Sequence, residues 1–499
     1  MTAQQRVLLV DLNNFARYPT LPIGYLATIL RTAGYEVKVF APLMIGVKGV
    51  SREPAPGRFD LFKAKLNHRI ATARSDAIRL VRDQLAMRRL SGVNEHANDV
   101  VAAASKVIDE YRPSAVLVST YLMYRDVCAR LCDASNRLGV PMIVGGPYFA
   151  QREVIRDWVR IPGLSALIAG EVELRLPSIV ASVIAGEDAS AHEGVFCAGS
   201  DGVERGSIAA PLRELDKVPF PDYSDFPWSA YPNRIVPIIT GRGCGWGACS
   251  FCSDVTSTAG RTYRSRSAAN VLNELAFHYA EHKVSRFVFT DLKLNSDTSV
   301  WRSVIGGIQG VAPGAKWIAA VHAGKEVDNG LSARDLKDAA KAGCVRLTTG
   351  LETGSQTLSN LMKKGTKVET IAHLLENATT AGISTRCTMV LGFPGETVDD
   401  VHASADFLSK HGSSIERISL NRLSLIMGTT LHRSAQRKPA RVTGIEILRE
   451  QPSHATVSHR NTAMHSPAHR KATFRLLTEA HRINSKQLSS HARDFDGVM

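Results

Sequence analysis

The sequence predicts an α/β protein made of two successive sheets, and three observations carry that reading. Strand-length apolar runs alternate with helix-length amphipathic stretches along most of the chain. A proline-rich connector, Val218-Pro-Phe-Pro-Asp-Tyr-Ser-Asp-Phe-Pro-Trp228, interrupts the rhythm. The rhythm then resumes behind a glycine-rich loop that holds three cysteines, Cys244, Cys249 and Cys252.

In the first half, the apolar run from Arg6 to Leu12 suits a buried parallel strand. A helix from Gly24 to Ala33 and a strand from Glu36 to Phe40 are predicted to follow. An insertion of about residues 44–110 places Phe62, Leu66 and Ile70, then Ile78, Val81 and Leu85, at helical spacing among many arginines, which predicts one or two amphipathic helices. Ser114 to Ser119, Met142 to Val144 and Ala166 to Ile168 supply three more strands. Such alternation gives a doubly wound sheet, whose ligands sit at the carboxyl ends of its strands.

In the second half, Arg234 to Thr240 is the strand that runs into the cysteine loop. A helix from Ser267 to His282, strands from Arg286 to Asp291 and Lys316 to Val321, and a helix from Ser332 to Ala342 are predicted next. Strands from Arg346 to Gly350, Thr385 to Leu391 and Glu416 to Leu420 complete six parallel units. Asp291, Glu352 and Glu396 fall at strand ends, where groups face a ligand in barrels of this kind. A cap on the following helix is the other reading for the two glutamates, and the preferred one for Glu396.

The cysteines are separated by four and then two intervening residues in Arg242-Gly-Cys244-Gly-Trp-Gly-Ala-Cys249-Ser-Phe-Cys252, within one loop's reach of a single centre. Closely spaced cysteines also serve structural zinc. Against zinc, the nearest further Cys or His residues, His278 and His282, lie on a predicted helix. Three thiolates without a fourth suit a four-iron cluster with one open iron. Glycines 241, 243, 245 and 247 let the backbone approach a cofactor closely.

Cys244, Cys249 and Cys252, with Phe251 before the last of them, resemble the signature loop of radical S-adenosylmethionine (radical SAM) enzymes, whose common spacing is three residues and then two. The resemblance implies a [4Fe-4S] cluster on these cysteines and a partial (β/α)6 barrel. It also implies S-adenosylmethionine near Phe251, Asp291 and Glu352. Met427-Gly-Thr429 with Leu431-His432 resembles the usual end of that barrel.

Ahead of the loop, Pro22-Ile-Gly24, Gly34-Tyr-Glu-Val37, Val144-Gly145-Gly146-Pro147 and Gly170-Glu171-Val-Glu173 resemble the Rossmann-like cobalamin-binding domain found in many members of that family. The resemblance places cobalamin near Pro22, Gly24, Gly145, Gly146, Gly170 and Glu171. Asp-x-His-x-x-Gly does not occur in the sequence, so no histidine from that motif would sit on cobalt. The expected layout is a cobalamin-binding domain over 1–205, a linker over 206–232, a radical SAM barrel over 233–435 and a basic, partly helical region over 436–499.

Together the resemblances imply a cobalamin-dependent radical SAM enzyme, foremost a C-methyltransferase. It would act on an unactivated carbon of a small natural product, peptide or lipid-like substrate, through a 5′-deoxyadenosyl radical and methylcobalamin. The cofactors carry that chemistry, so no catalytic side chain is assigned. Rearrangement or oxidation without methyl transfer, RNA modification, and a non-enzymatic cobalamin sensor are the alternatives. An electron donor such as flavodoxin or ferredoxin is the implied partner.

Composition fits such an enzyme. The 499 residues, 44% hydrophobic, suffice for two to four domains. Eight cysteines are too few for a disulfide scaffold, and a cluster needs a reducing compartment, which predicts a cytoplasmic protein. No leader segment and no membrane span is expected. The net charge is +14, and residues 433–499 hold 12 Lys/Arg against 5 Asp/Glu. That excess reads first as a solvated basic tail and second as a nucleic-acid footprint. Cys128, Cys132, Cys197, Cys344 and Cys387 are scattered and read as small apolar side chains.

Overall fold

The computed structural model describes residues 4–49, 56–57, 59–73, 75, 77, 92–199, 203–256, 262–324, 329 and 331–498. Arg6–Asp11, Glu36–Phe40, Ala115–Ser119, Met142–Gly145 and Leu164–Ile168 form a parallel sheet, with the second strand outermost and the first strand between it and the third. Val7 to Val10 are fully buried, as both faces of a doubly wound sheet are covered. Strand order reverses between Arg6–Asp11 and Ala115–Ser119, which opens a crevice at their carboxyl ends. Two antiparallel strands, Val195–Ala198 and Glu204–Gly206, extend the far edge. At four and three residues they were too short to show in the sequence pattern.

The second sheet holds the six expected strands, all parallel and in sequence order across the sheet: Val236–Ile238, Arg286–Phe289, Lys316–Val321, Cys344–Glu352, Ser384–Leu391 and Arg417–Arg422. Ser267, Asp297, Ser332 and Thr397 cap the helices that follow, each accepting a backbone N–H. The connector is packed between the two units. Tyr223 is fully buried, its hydroxyl donates to the Pro237 carbonyl at 3.2 Å, and Arg31 binds both Asp222 and Asp225. One apolar core therefore runs from Val7 through Tyr223 and Phe226 to Val236 and Phe287.

Two expectations need correction. In helix Asp60–Ala71 the stripe of Phe62 and Leu66 is exposed, and the helix turns His68 and Ala71 inward instead. Ile78, Val81 and Leu85 lie outside the described residues. The region after 435, expected as a separate solvated tail, is packed. Strands Ile445–Gln451 and Thr456–Asn461 form an antiparallel sheet with Leu425–Ile426, and Ile445 and Val457 join the core of the first sheet around Leu8 and Trp158.

Helix Pro467–Asn484 lies along the barrel, with Arg475 bonded to Asp406 and Asn484 to both polar backbone atoms of Ile418. Residues 490–498 then close the barrel's amino-terminal end. Ala492, Phe495 and Val498 pack on Ile235, Val288, Ile318 and Val345. Beside them the fully buried Arg346 reaches the Phe495 carbonyl, Glu416 and Asp496. Among the described residues no helix is long and apolar enough to cross a membrane.

Candidate functional site

The cysteine loop hangs from a short ribbon in which Gly241–Arg242 pairs antiparallel with Arg264–Ser265, just past the carboxyl end of the first barrel strand. Asp291 shapes the turn into it. Its carboxylate accepts the Thr240 N–H at 3.0 Å, the Thr240 hydroxyl at 2.7 Å and the Gly241 N–H at 3.0 Å. Asp291, expected near S-adenosylmethionine, is buried and directs these acceptor positions to the backbone of the turn.

Burial pushes the Asp291 pKa up to about 6, against its hydrogen bonds. The folded chain thus holds this proton more tightly than the unfolded chain. The resulting stability is fully present below the usual value of 3.8 and is lost as pH rises through about 6. Denaturant titrations should show the stability difference between the protein and Asp291→Asn falling by about 2 kcal/mol from about pH 4.5 to about pH 7.

The three thiols are free and half-buried, and each is the electrostatic neighbour of the next along the loop. Burial raises the Cys249 and Cys252 thiols, Cys252 to about 12, and Lys364 opposes the rise at Cys249. Among the described residues no three His, Cys, Asp or Glu side chains converge as a single metal ion requires. A four-iron cube takes each thiolate at a separate corner, so this donor set fits the cluster.

The loop is docked on the turn after helix Gln356–Leu361. Trp246 donates from Nε1 to the Lys363 carbonyl at 2.9 Å, and the Ser250 N–H donates to the Met362 carbonyl at 3.0 Å. Gly365, at φ +71°, lies against the Trp246 ring, which leaves no space for a β-carbon. Gly365→Ala should lower unfolding stability by about 1–2 kcal/mol, read by urea titration, since the left-handed conformation alone disfavours a side chain by that much.

That turn delivers Lys364, whose Nζ lies 2.9 Å from Glu352 Oε1 in a nearly closed site. Burial lowers the Lys364 ammonium, but Glu352 and the thiols of Cys249 and Cys252 more than offset it and hold it above its usual value. Glu352 sits at φ +61°, beside a register shift in its strand, and its carboxylate folds back over Gly350. Non-glycine residues held in this conformation concentrate at functional sites. Neither glutamate is a helix cap. Ser355 caps the helix after Glu352, and Thr397 with Asp400 caps the one after Glu396. Glu396 instead accepts the Gly392 N–H, with His469 Nε2 at 3.7 Å.

Lys293 extends this cationic group, and His322 stands beside it as a neutral imidazole. Burial lowers both, His322 to about 3, and each lies within electrostatic reach of Lys364. Phe251 packs edge-on against Phe393 at 6.1 Å, with Leu423, Leu358 and Met362 around it.

Of the residues expected at the cobalamin domain's ligand edge, Gly145 ends strand Met142–Gly145 and Gly146 follows it, where a β-carbon would strike the Thr120 carbonyl. Pro22 and Gly24 lie in the first turn of helix Leu21–Thr32, where Gly24 makes room for Tyr223 and Pro221 of the connector rather than for a cofactor. Gly170, at φ +133°, presses on Ala209. Glu171 is also reassigned. Its carboxylate is bound by Arg264 and Arg242 and by the Leu212 N–H, and so is not free for cobalamin.

The two edges meet at Tyr148, just past Gly146. Its hydroxyl lies within electrostatic reach of Asp254 and Cys252, and burial pushes its pKa up to about 12. Tyr121 and Phe15 continue from it along the crevice, with ring centres 6.0 and 6.4 Å apart. At the crevice floor the buried Asn13 keeps its side-chain oxygen without a hydrogen-bond partner. Lys364, Lys293, His322 and Tyr148 were missed from sequence because no local pattern marks them. Arg242 alone had a signal, as part of the cysteine stretch.

The chain matches the radical SAM superfamily over residues 238–408. An uncharacterized methyltransferase of Pyrococcus horikoshii is 24% identical over 341 residues, covering 66% of this chain and 71% of that protein. The cytidylyl-2-hydroxyethylphosphonate methyltransferase of Streptomyces wedmorensis is 26% identical over 261 residues, covering 48% and 47%. In fold, the cobalamin-dependent S-adenosylmethionine radical enzyme OxsB, solved with aqua-cobalamin and S-adenosylmethionine, superposes with a TM-score of 0.68 at 15% identity. The match covers 92% of this chain and 65% of that one. The radical S-adenosylmethionine methyltransferase TsrM of Kitasatospora setae, solved with cobalamin and a [4Fe-4S] cluster, gives 0.62 at 16% identity, covering 91% and 84%. Residues 238–408 therefore match a radical SAM domain, and the chain as a whole shares the two-unit fold of OxsB and TsrM.

Proposed function

We propose that this protein is a cobalamin-dependent radical SAM C-methyltransferase acting on an unactivated carbon of a small-molecule, peptide or lipid-like substrate. The observation that carries the reading is the bonding of Arg264 and Arg242, on the ribbon that bears the cysteine loop, to Glu171 and Glu173, just past the carboxyl end of strand Leu164–Ile168. It holds the carboxyl side of the first sheet against the loop of Cys244, Cys249 and Cys252. Two relatives named as methyltransferases, and two fold neighbours solved with cobalamin, support it.

When bound, the cluster would supply the electron that turns S-adenosylmethionine into a hydrogen-abstracting reagent, and cobalamin would supply the methyl group. The chain's own part is placement. Cys244, Cys249 and Cys252 would hold the cluster, and Glu352, fixed by Lys364, would present its carboxylate to S-adenosylmethionine. Phe251 would pack on the adenine, and the edge at Gly145 and Gly146 would carry cobalamin. Lys293 and Lys364 make the surroundings of the thiols cationic, which favours the thiolate form that metals need. A reductant of the flavodoxin or ferredoxin type in the cytoplasm completes the reading. Nucleic acid is no part of it, since the basic region packs on the rest of the chain and pairs Arg460 with Glu446 and Arg482 with Glu479.

The test is elemental analysis of protein prepared without oxygen from cells given iron and cobalamin, with product analysis under reduction. About four irons and one cobalt per chain are expected, together with S-adenosylhomocysteine alongside 5′-deoxyadenosine. Iron without cobalt would overturn the methylcobalamin reading. 5′-Deoxyadenosine alone, from substrate turnover, would favour rearrangement or oxidation.

A further inference from the structure

We infer that Glu171 and Glu173 are positioning residues that clamp the neck of the cysteine loop to the N-terminal sheet, and so fix where the loop stands relative to that sheet's ligand edge. The inference rests on the two-cofactor reading above for its purpose, though not for its geometry.

Both strands of the neck contribute an arginine. Arg264 binds Glu171 through two separate bonds, Nη1 to Oε2 at 2.6 Å and Nη2 to Oε1 at 3.0 Å. Arg242 lies 2.6 Å from Glu173 Oε1 and 3.3 Å from Glu171 Oε2, over the ring of Tyr25 from helix Leu21–Thr32. The four side chains are only 6–16% exposed. The segment leaving the first unit is tied into the same knot, for the Leu212 N–H donates to Glu171 at 2.8 Å and its carbonyl accepts from Arg264 at 2.7 Å. On the other side, Gly170 is pressed onto Ala209 without room for a β-carbon, so the turn that presents Glu171 cannot shift freely.

Stability alone does not explain such a knot, because well-packed apolar side chains stabilise an interface at least as well as buried ions. A forked, two-bond guanidinium–carboxylate contact adds direction and separation, since both bonds survive in one relative orientation only. Arg242 lies two residues before Cys244, so that orientation passes directly to the first thiol. With both neck strands gripped, the loop can neither swing about the ribbon nor slide along it.

Glu171→Gln tests this, with Arg264→Lys as a milder second variant that keeps the charge but loses the fork. Hydrogen exchange on the full chain without cofactors should quicken at least tenfold in peptides covering 170–175 and 241–266, with the strands of both sheets unchanged. Arg264→Lys should give a smaller acceleration in the same peptides. In loaded protein, iron and cobalt contents should match the wild type, while the pulsed-EPR distance distribution between reduced cluster and cob(II)alamin should broaden. Unchanged neck exchange in both variants would overturn the clamp. So would loss of cobalt from Glu171→Gln with an undisturbed neck, which would make Glu171 a cofactor contact. A wild type that takes up no cobalt would defeat the two-cofactor reading while leaving the exchange result to judge the clamp.

Discussion

Cys249→Ala is expected to reduce iron from about four to less than about one per chain and to end S-adenosylmethionine cleavage. Cys249 is the middle thiol, the neighbour of both Cys244 and Cys252, and the one on which Lys364 acts most directly. Its removal leaves two donors at the ends of the loop, too few to retain a cube that already lacks a fourth protein thiolate. The loop itself should survive, because Trp246 and Ser250 hold it through backbone carbonyls that the substitution does not touch. Cys128→Ala is the control. That thiol is fully buried in the first sheet's core, and burial raises its pKa steeply, so iron should be unaffected. Equal iron in Cys249→Ala and wild type, by elemental analysis and visible absorption, would remove the cysteine loop from the mechanism.

Lys364→Met should lower unfolding stability by about 3–5 kcal/mol, because it leaves the Glu352 carboxylate buried without its counter-charge. Glu352 is 7% exposed, and the other polar group near it, the Thr388 hydroxyl, is 3.5 Å away. Adding Glu352→Gln should recover much of the loss, because the buried charge then disappears. Denaturant midpoints of the two single variants and the double variant give the coupling. Additive losses would show that the pair does not act as a unit. A stable double variant also separates folding from function, since it should still take up iron on the three cysteines while binding S-adenosylmethionine poorly.

Both sheets were legible because buried parallel strands leave a strong trace. Val7 to Val10 and Phe287 to Phe289 are short apolar runs rich in β-branched or aromatic residues and bounded by polar or turn residues, which marks them as strands rather than buried helix. The cysteine loop was legible for a related reason, since its chemistry is written in consecutive residues. Lys364 was not, because its partner lies on the preceding strand and its electrostatic neighbours lie in a different loop. Gly170-Glu171-Val-Glu173 was singled out as a cobalamin-domain motif, and the structure pairs its glutamates with Arg264 and Arg242. A glutamate after a strand reads as a ligand contact until the arginines opposite it are seen, and no spacing rule ties Glu171 to Arg264.

Composition misled most after residue 435. Lysine and arginine suggested a solvated tail, yet Arg475, Arg482 and Lys486 lie along a packed helix and the turn that ends it, bonded to Asp406, Glu479 and backbone carbonyls. Long basic side chains can cover apolar surface while their charges find partners. The same limit explains helix Asp60–Ala71, where spacing identified the helix but not which face the barrel covers.

The floor of the barrel has a further implication for how the protein is made. The last barrel strand ends at Arg422, yet the segment that seals Ile235, Val288, Ile318 and Val345 begins at Ser490. A ribosome releases the strands well before it releases their stopper. During that interval the row of apolar side chains at the open end faces water, where half-made barrels from neighbouring nascent chains can adhere to one another. A chaperone that shields the open end during that interval should therefore raise the soluble yield.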